Sequence, residues 1–178
     1  MTMKKIISIL LLACSVAFVH AQGTFDFTLS LNGGNEVPPT SSTRTGFGSL
    51  TLNGSALDYT INFTATLDTP TDVTINGPTG PGSTAPLLFD LGAPSFISPN
   101  PPQYPWFVTG TINNLTSGQI DDLKGGLWYV NLFSSPTTYP NGEIRGQIMP
   151  VPEPSTLALL GTSAVAFLFW RRKLNKGI

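Results

Sequence analysis

The sequence predicts an all-β body, a Greek-key β-sandwich or barrel with one short helix, flanked by an N-terminal signal peptide and a C-terminal transmembrane helix. Three observations predict it. Apolar and polar residues alternate with a period of two in several short segments, the longest placing Leu57, Tyr59, Ile61, Phe63, Ala65 and Leu67 on one face. Gly, Pro and Asn clusters punctuate those segments, while Lys, Glu and Ala are scarce in the body. Two uncharged apolar runs sit at the ends of the 178-residue chain, outside this pattern.

The first run is a secretory leader. Lys4 and Lys5 precede Ile6 to Val19, and Val19-His20-Ala21 offers small residues before a cut, so cleavage is expected between Ala21 and Gln22. Leu11-Leu12-Ala13-Cys14 is a loose lipobox and a rival reading, which Leu12 directly before Ala13 fits poorly. Cys14 and His20 both leave with the leader, so the mature body has neither thiol nor histidine. Residues 22–150 form one domain, long enough for a real core. Three basic residues (Arg44, Lys124, Arg145) against nine acidic ones give it a net charge of −6, which argues against nucleic acid as a partner.

Within the body, Phe25, Phe27, Leu29 and Leu31 alternate with polar residues as a half-buried strand. Asn32-Gly33-Gly34-Asn35 turns the chain, and Glu36-Val37-Pro38-Pro39 opens an irregular loop. A second strand runs from about Gly46 to Asn53. Phe47 is out of phase with Leu50 and Leu52, so a bulge is expected at Gly46 or Gly48. Asn53-Gly54 signals a hairpin into the strand that begins at Leu57. Val73 to Ile75 and Leu87 to Leu91 read as short strands, the proline-rich stretch Gly92 to Pro105 as irregular, and Trp106 to Ile112 as strand. Thr116 and Gln119 make a capping box, Ile120 and Leu123 share a face, and Gly125 marks the stop of the one helix. Trp128 to Phe133 and Glu143 to Met149, with Ile144 and Ile148 inward, complete seven or eight strands.

The second apolar run organises the C-terminus. Val151-Pro152-Glu153-Pro154-Ser155 is a stiff extended spacer, because each proline fixes its own φ and pushes the preceding residue toward extended geometry. Residues 156–170 follow without a charge; as a helix they span only about 22 Å against about 30 Å of bilayer hydrocarbon. Trp170 suits the interfacial belt, and the basic stop Arg171, Arg172 and Lys173, with Lys176, stays on the cytoplasmic side.

This spacer, helix and cationic end resemble a PEP-CTERM sorting signal. The resemblance implies a Gram-negative host that makes extracellular polysaccharide. It also implies export through the secretory translocon, a membrane-anchored precursor held by residues 156–170, and recognition of Pro152-Glu153-Pro154 by an exosortase. The protein would then pass to the cell surface or extracellular matrix. A plain C-terminal anchor on a proline-rich stalk is the simpler alternative.

The body carries a second resemblance. Leu31-Asn32-Gly33 to Glu36-Val37-Pro38-Pro39, Gly46, and Leu57-Asp58-Tyr59 resemble the start of a CHRD domain, the module named for chordin. Leu115-Thr116 to Asp122-Leu123, Gly126, Trp128-Tyr129-Val130-Asn131, and Pro140 to Ile148 resemble its closing pattern. The family usually carries a His-x-His falling near Thr74 and Asn76, and another histidine at Phe133; none is histidine here. The resemblance therefore implies the structural frame without the relatives' histidine site, and no enzymatic activity.

The remaining chemistry is thin. Without mature His or Cys, Ser-His-Asp and Cys-His catalysis and ordinary zinc or copper sites are excluded, and no cofactor is expected. Asp121 and Asp122, adjacent on the helix, point about 100° apart, which suits a solvated face near the helix start better than a glycosidase pair. Calcium held by Asp68, Asp72 and carbonyls matches no standard loop. Glu143 and Arg145 share a face of the last strand and are expected as an exposed or half-buried ion pair pinning an edge. With Trp128 and Tyr129 they are the candidate partner contacts. Tyr104, Trp106, Trp128, Tyr129 and Tyr139 could instead form an aromatic platform for glycans, although core packing explains a tryptophan more simply. The expected protein is thus a non-enzymatic, exosortase-sorted surface or matrix module; the alternative is a protein that binds or processes extracellular polysaccharide.

Overall fold

The computed structural model describes residues 23–64, 68–97 and 106–152. The leader with its Ala21–Gln22 cut lies outside the described residues, as do Glu153, Pro154, Ser155, the 156–170 helix and the basic stop. Among the described residues no helix is long and apolar enough to cross a membrane.

Ten strands form one antiparallel sheet: β1 (Phe25–Asn32), β2 (Thr45–Asn53), β3 (Ala56–Phe63), β4 (Asp72–Asn76), β5 (Leu87–Gly92), β6 (Ser95–Phe96), β7 (Trp106–Ile112), β8 (Tyr129–Phe133), β9 (Ile144–Gln147) and β10 (Met149–Pro150). A 3-10 turn covers Gly33–Asn35, and helix α1 covers Ser117–Lys124. The strand order is β5-β4-β8-β9-β1-β2-β3-β7-β6, with β10 pairing β1 off this path. Among the described residues the all-β class with one short α-helix therefore holds, and the sheet curls into an open half-barrel. The two strands beyond the expected number, β6 and β10, have two residues each, too short to show an alternation.

The curl follows from the inner face. Phe27, Leu29, Leu31, Leu50, Leu52, Leu57, Ile61 and Phe63 from β1–β3 meet Val73, Ile75, Val130, Leu132 and Ile144 from β4, β8 and β9 in one core. A single sheet covers an apolar face this large only by closing on itself or by gaining a lid. The lid is α1, whose Leu123 enters the core along with Leu115 just before the helix.

Strand β2 carries no bulge: its pairing with both β1 and β3 is continuous. The inward residues are Gly46, Gly48, Leu50 and Leu52, and Phe47 points outward. A Cβ on Gly48 would lie 2.6 Å from Leu29 Cδ2, and one on Gly46 2.9 Å from Phe63 Cδ1. The glycines are the core residues there, making room for large neighbours, so the apolar alternation is hidden. Irregular register occurs instead between β4 and β5, beside Val73/Thr74 and Ile75/Asn76.

The hairpin after Asn53 turns on Gly54 (φ +60°) and Ser55, with Asn53 opposite Ala56. The capping box of α1 forms as expected, with Thr116 Oγ1 accepting from Gln119 N–H. Asp121 and Asp122 lie past the first turn of α1 rather than within it. Gly125 caps the helix in right-handed geometry, and the left-handed residue is Gly126 (φ +68°).

Candidate functional site

The two faces of the sheet differ outside the core. On β1, β2, β3 and β7 the outer face is open and rich in Ser, Thr and Asp; Thr51 donates to Asp26, Thr111 to Asp58, and the Thr60 and Thr109 hydroxyls are 3.1 Å apart. On β4, β8 and β9 the outer face is roofed by loops, with Thr74, Asn131 and Arg145 buried and Asp72, Asn76 and Gln147 half-buried.

Arg145 is the centre of that roofed region. It is buried, and its guanidinium lies 3.4 Å from the centroid of the Tyr129 ring, a cation–π contact. Its Nη1 donates to Ser83 O at 2.7 Å. Tyr129 is held in turn by Ala85, whose N–H donates to the phenol oxygen and whose carbonyl accepts from it. Asn131, beside Arg145 in register, donates from Nδ2 to Asn141 O at 3.0 Å. Gln147 donates from Nε2 to Thr79 O and Gly126 O. Glu36 enters from the loop after β1 and is 5 % exposed. Burial pushes its carboxyl up to about 7, although Arg145 and the Val37 N–H both pull it down. Burial also lowers the Arg145 pKa, against Tyr129 and Glu36.

Two adjoining cavities open here, of about 440 Å³ and 520 Å³, and Glu36, Val37 and Arg145 line both. Gly142 explains part of the local motif. Its φ of +125° disfavours a side chain, and a Cβ would fall 2.2 Å from Asn131 Oδ1.

The expected Glu143–Arg145 pair does not form, and neither residue is exposed. Glu143 precedes β9, is 1 % exposed, and binds Arg44 instead, with Nε to Oε2 at 3.0 Å. Ser42 Oγ donates to Glu143 Oε1, while Arg44 also donates to Thr64 O and Asp68 O. This buried clasp ties the loop before β2 to the end of β3 and the β8–β9 turn. Strand β9 is an inner strand between β8 and β1, so no edge is available for an exposed pair to pin.

Trp128 is fully buried, with its ring 5.7 Å from that of Phe89, so it packs the core. Among the described residues the aromatic platform is not assembled. Trp106 packs against Phe96 in a tilted contact at the β6–β7 edge, Tyr129 is covered by Arg145, and Tyr104 lies outside the described residues. Asp72 sits beside Asp90, and burial and then Asp90 raise its pKa. Among the described residues no three His, Cys, Asp or Glu side chains converge on a metal position. Val151 and Pro152 are exposed; the Val151 N–H donates to Asp26 O at 2.8 Å, extending β10 along β1.

Sequence reasoning missed Arg44, Glu36, Asn131 and Gln147. The signal for Arg44 was its chemistry, since it is one of only three cations in residues 22–150. The positions where the resembled family has histidine do fall in one place, with Thr74 opposite Asn131, Asn76 opposite Tyr129, and Asp72 opposite Phe133.

The family model described as CHRD domain matches residues 27–148, and the model described as PEP-CTERM protein-sorting motif matches residues 150–173. No curated protein and no solved structure matches the chain.

Proposed function

The chain belongs to the CHRD domain family and ends in a PEP-CTERM sorting motif that marks an exported, exosortase-sorted envelope protein, and from that premise we propose that its body is a non-enzymatic adhesion or matrix module presented at the surface of a Gram-negative cell. Both domain types are non-catalytic.

One observation carries this reading. The tail leaves at the Asp26 end of β1, where Val151 is hydrogen-bonded, and the roofed cavities lie at the Asn32 end, where Arg145 pairs. Six residues of strand separate them, about 20 Å. Helix α1 and the β2–β3 turn lie at the tail end, since Lys124 sits over the Phe25 ring and Leu115 N–H donates to Ser55 O. A body held by its tail thus directs the cavities away from the membrane. Presentation of a surface needs this polarity, and it needs no reacting group.

The intact mass of the protein recovered from its native envelope tests the sorting. A product beginning at Gln22 and ending between Val151 and Ser155 is expected; a product still ending at Ile178 would make the tail a permanent anchor and refute exosortase cleavage. Deletion of the chain is expected to weaken cell adhesion or matrix retention while polysaccharide composition stays constant. A changed composition would instead favour a processing role.

A further inference from the structure

Four side-chain polar atoms around Arg145 are buried without a protein partner: Arg145 Nη2, Glu36 Oε1, Asn131 Oδ1 and Gln147 Oε1. Each orphan has given up its hydration without a replacement hydrogen bond, and native proteins carry few of them. These four occur together. Glu36 and Arg145 line both cavities, Gln147 lines the smaller, and Asn131 lines the larger. The two amide orientations are fixed by their other halves. Asn131 Nδ2 and Gln147 Nε2 donate to backbone carbonyls, which an amide oxygen could not replace.

The set therefore offers one donor, the guanidinium N–H, and three acceptor oxygens. An anion would satisfy Arg145 but meet the oxygens. A cation would satisfy the oxygens but lie against the guanidinium. A hydroxyl group donates to one partner while accepting from another, and several hydroxyls on one frame can answer all four atoms. Whether Glu36 is protonated matters little to such a partner, because a carboxyl group can donate to a hydroxyl and a carboxylate can accept from it. The Tyr129 face is already covered by Arg145, so recognition would rest on hydroxyl hydrogen bonds rather than ring stacking. Pro81, Val37 and Phe133 supply apolar walls, and both volumes fall in the range of about 300–1,000 Å³ usual for small-molecule sites.

We propose that this pocket binds a neutral polyhydroxylated ligand, a saccharide unit, through Arg145, Glu36, Asn131 and Gln147. The proposal rests on the reading of the body as a presented binding module and gives that module its ligand class.

The test is ligand-detected NMR or calorimetry on the full-length chain in detergent. The probes are methyl glycosides of glucose, galactose, mannose and fucose, the disaccharide cellobiose, glucuronate and inorganic phosphate. At least one neutral sugar is expected to bind in the millimolar range. Arg145→Lys, which keeps the charge and loses the fork, and Asn131→Leu should each weaken it by about tenfold or more. Circular dichroism checks each fold; if Asn131→Leu unfolds the body, Arg145→Lys decides. Binding of glucuronate and phosphate without any neutral sugar would overturn the proposal in favour of an anion site. Binding that Arg145→Lys leaves unchanged would place the sugar elsewhere, and no binding by any probe would also overturn it. None of these failures affects the sorting reading, which the intact mass tests separately.

Discussion

Glu36 has the most testable electrostatics of any single residue. Its folded pKa of about 7 lies above its ordinary 4.5, so the folded state holds a proton that the unfolded chain releases between those values. Its neutral form makes stability greatest below about pH 4.5, and that contribution is lost as pH rises toward 7, by about 1–3 kcal/mol. Urea midpoints at pH 4.5 and 7.5 should show the loss, and Glu36→Gln should remove most of it. Asp72, also raised by burial, leaves a smaller slope of the same sign. The Arg44–Glu143 clasp makes a second prediction. Arg44→Met strands a buried carboxylate and should cost about 3–5 kcal/mol in denaturant unfolding. The double variant Arg44→Met/Glu143→Leu should recover part of that loss, because the stranded charge goes with its partner. Neither residue announces this in the sequence, where they stand 99 positions apart.

Elements whose signals are local were legible. The capping box of α1 is contained in four residues, and Thr116→Ala is expected to cost about 1 kcal/mol in thermal or urea unfolding. The β2–β3 hairpin is likewise set by two residues between the strands. Strand β2 was legible in extent but not in face, because its inward positions are glycine and only their neighbours Leu29 and Phe63 show why. Strand β9 was legible as a strand and misread as an edge. Its alternation places Ile144 inward but carries no information on which strands flank it. The Glu143–Arg145 expectation failed for that reason: spacing along one strand says nothing of a partner arriving from the loop before β2.

At the scale of the whole molecule, the two ends of β1 set the polarity. Single cysteines at Ser55, on the tail end, and at Thr84, which lines the larger cavity, should separate the poles. In membranes holding the uncleaved chain, a bulky maleimide is expected to label Thr84→Cys readily and Ser55→Cys slowly. Detergent release should equalise them. Equal labelling before release would place the cavities beside the membrane rather than away from it.

The sequence by itself determined the all-β class, the single capped helix, the family and the sorting address. Each of these is written in contiguous residues: a period of two, a four-residue cap, a closing motif and a proline-flanked glutamate before an apolar run. Tertiary structure alone decided that the sheet curls into one half-barrel, that Trp128 is core, that Arg44 holds Glu143, and that Glu36, Arg145, Asn131 and Gln147 share one roofed site. Those outcomes depend on contacts between residues far apart in the chain. A side chain's burial and charge partners are set by whichever loop closes over it, and no local pattern records which loop that is.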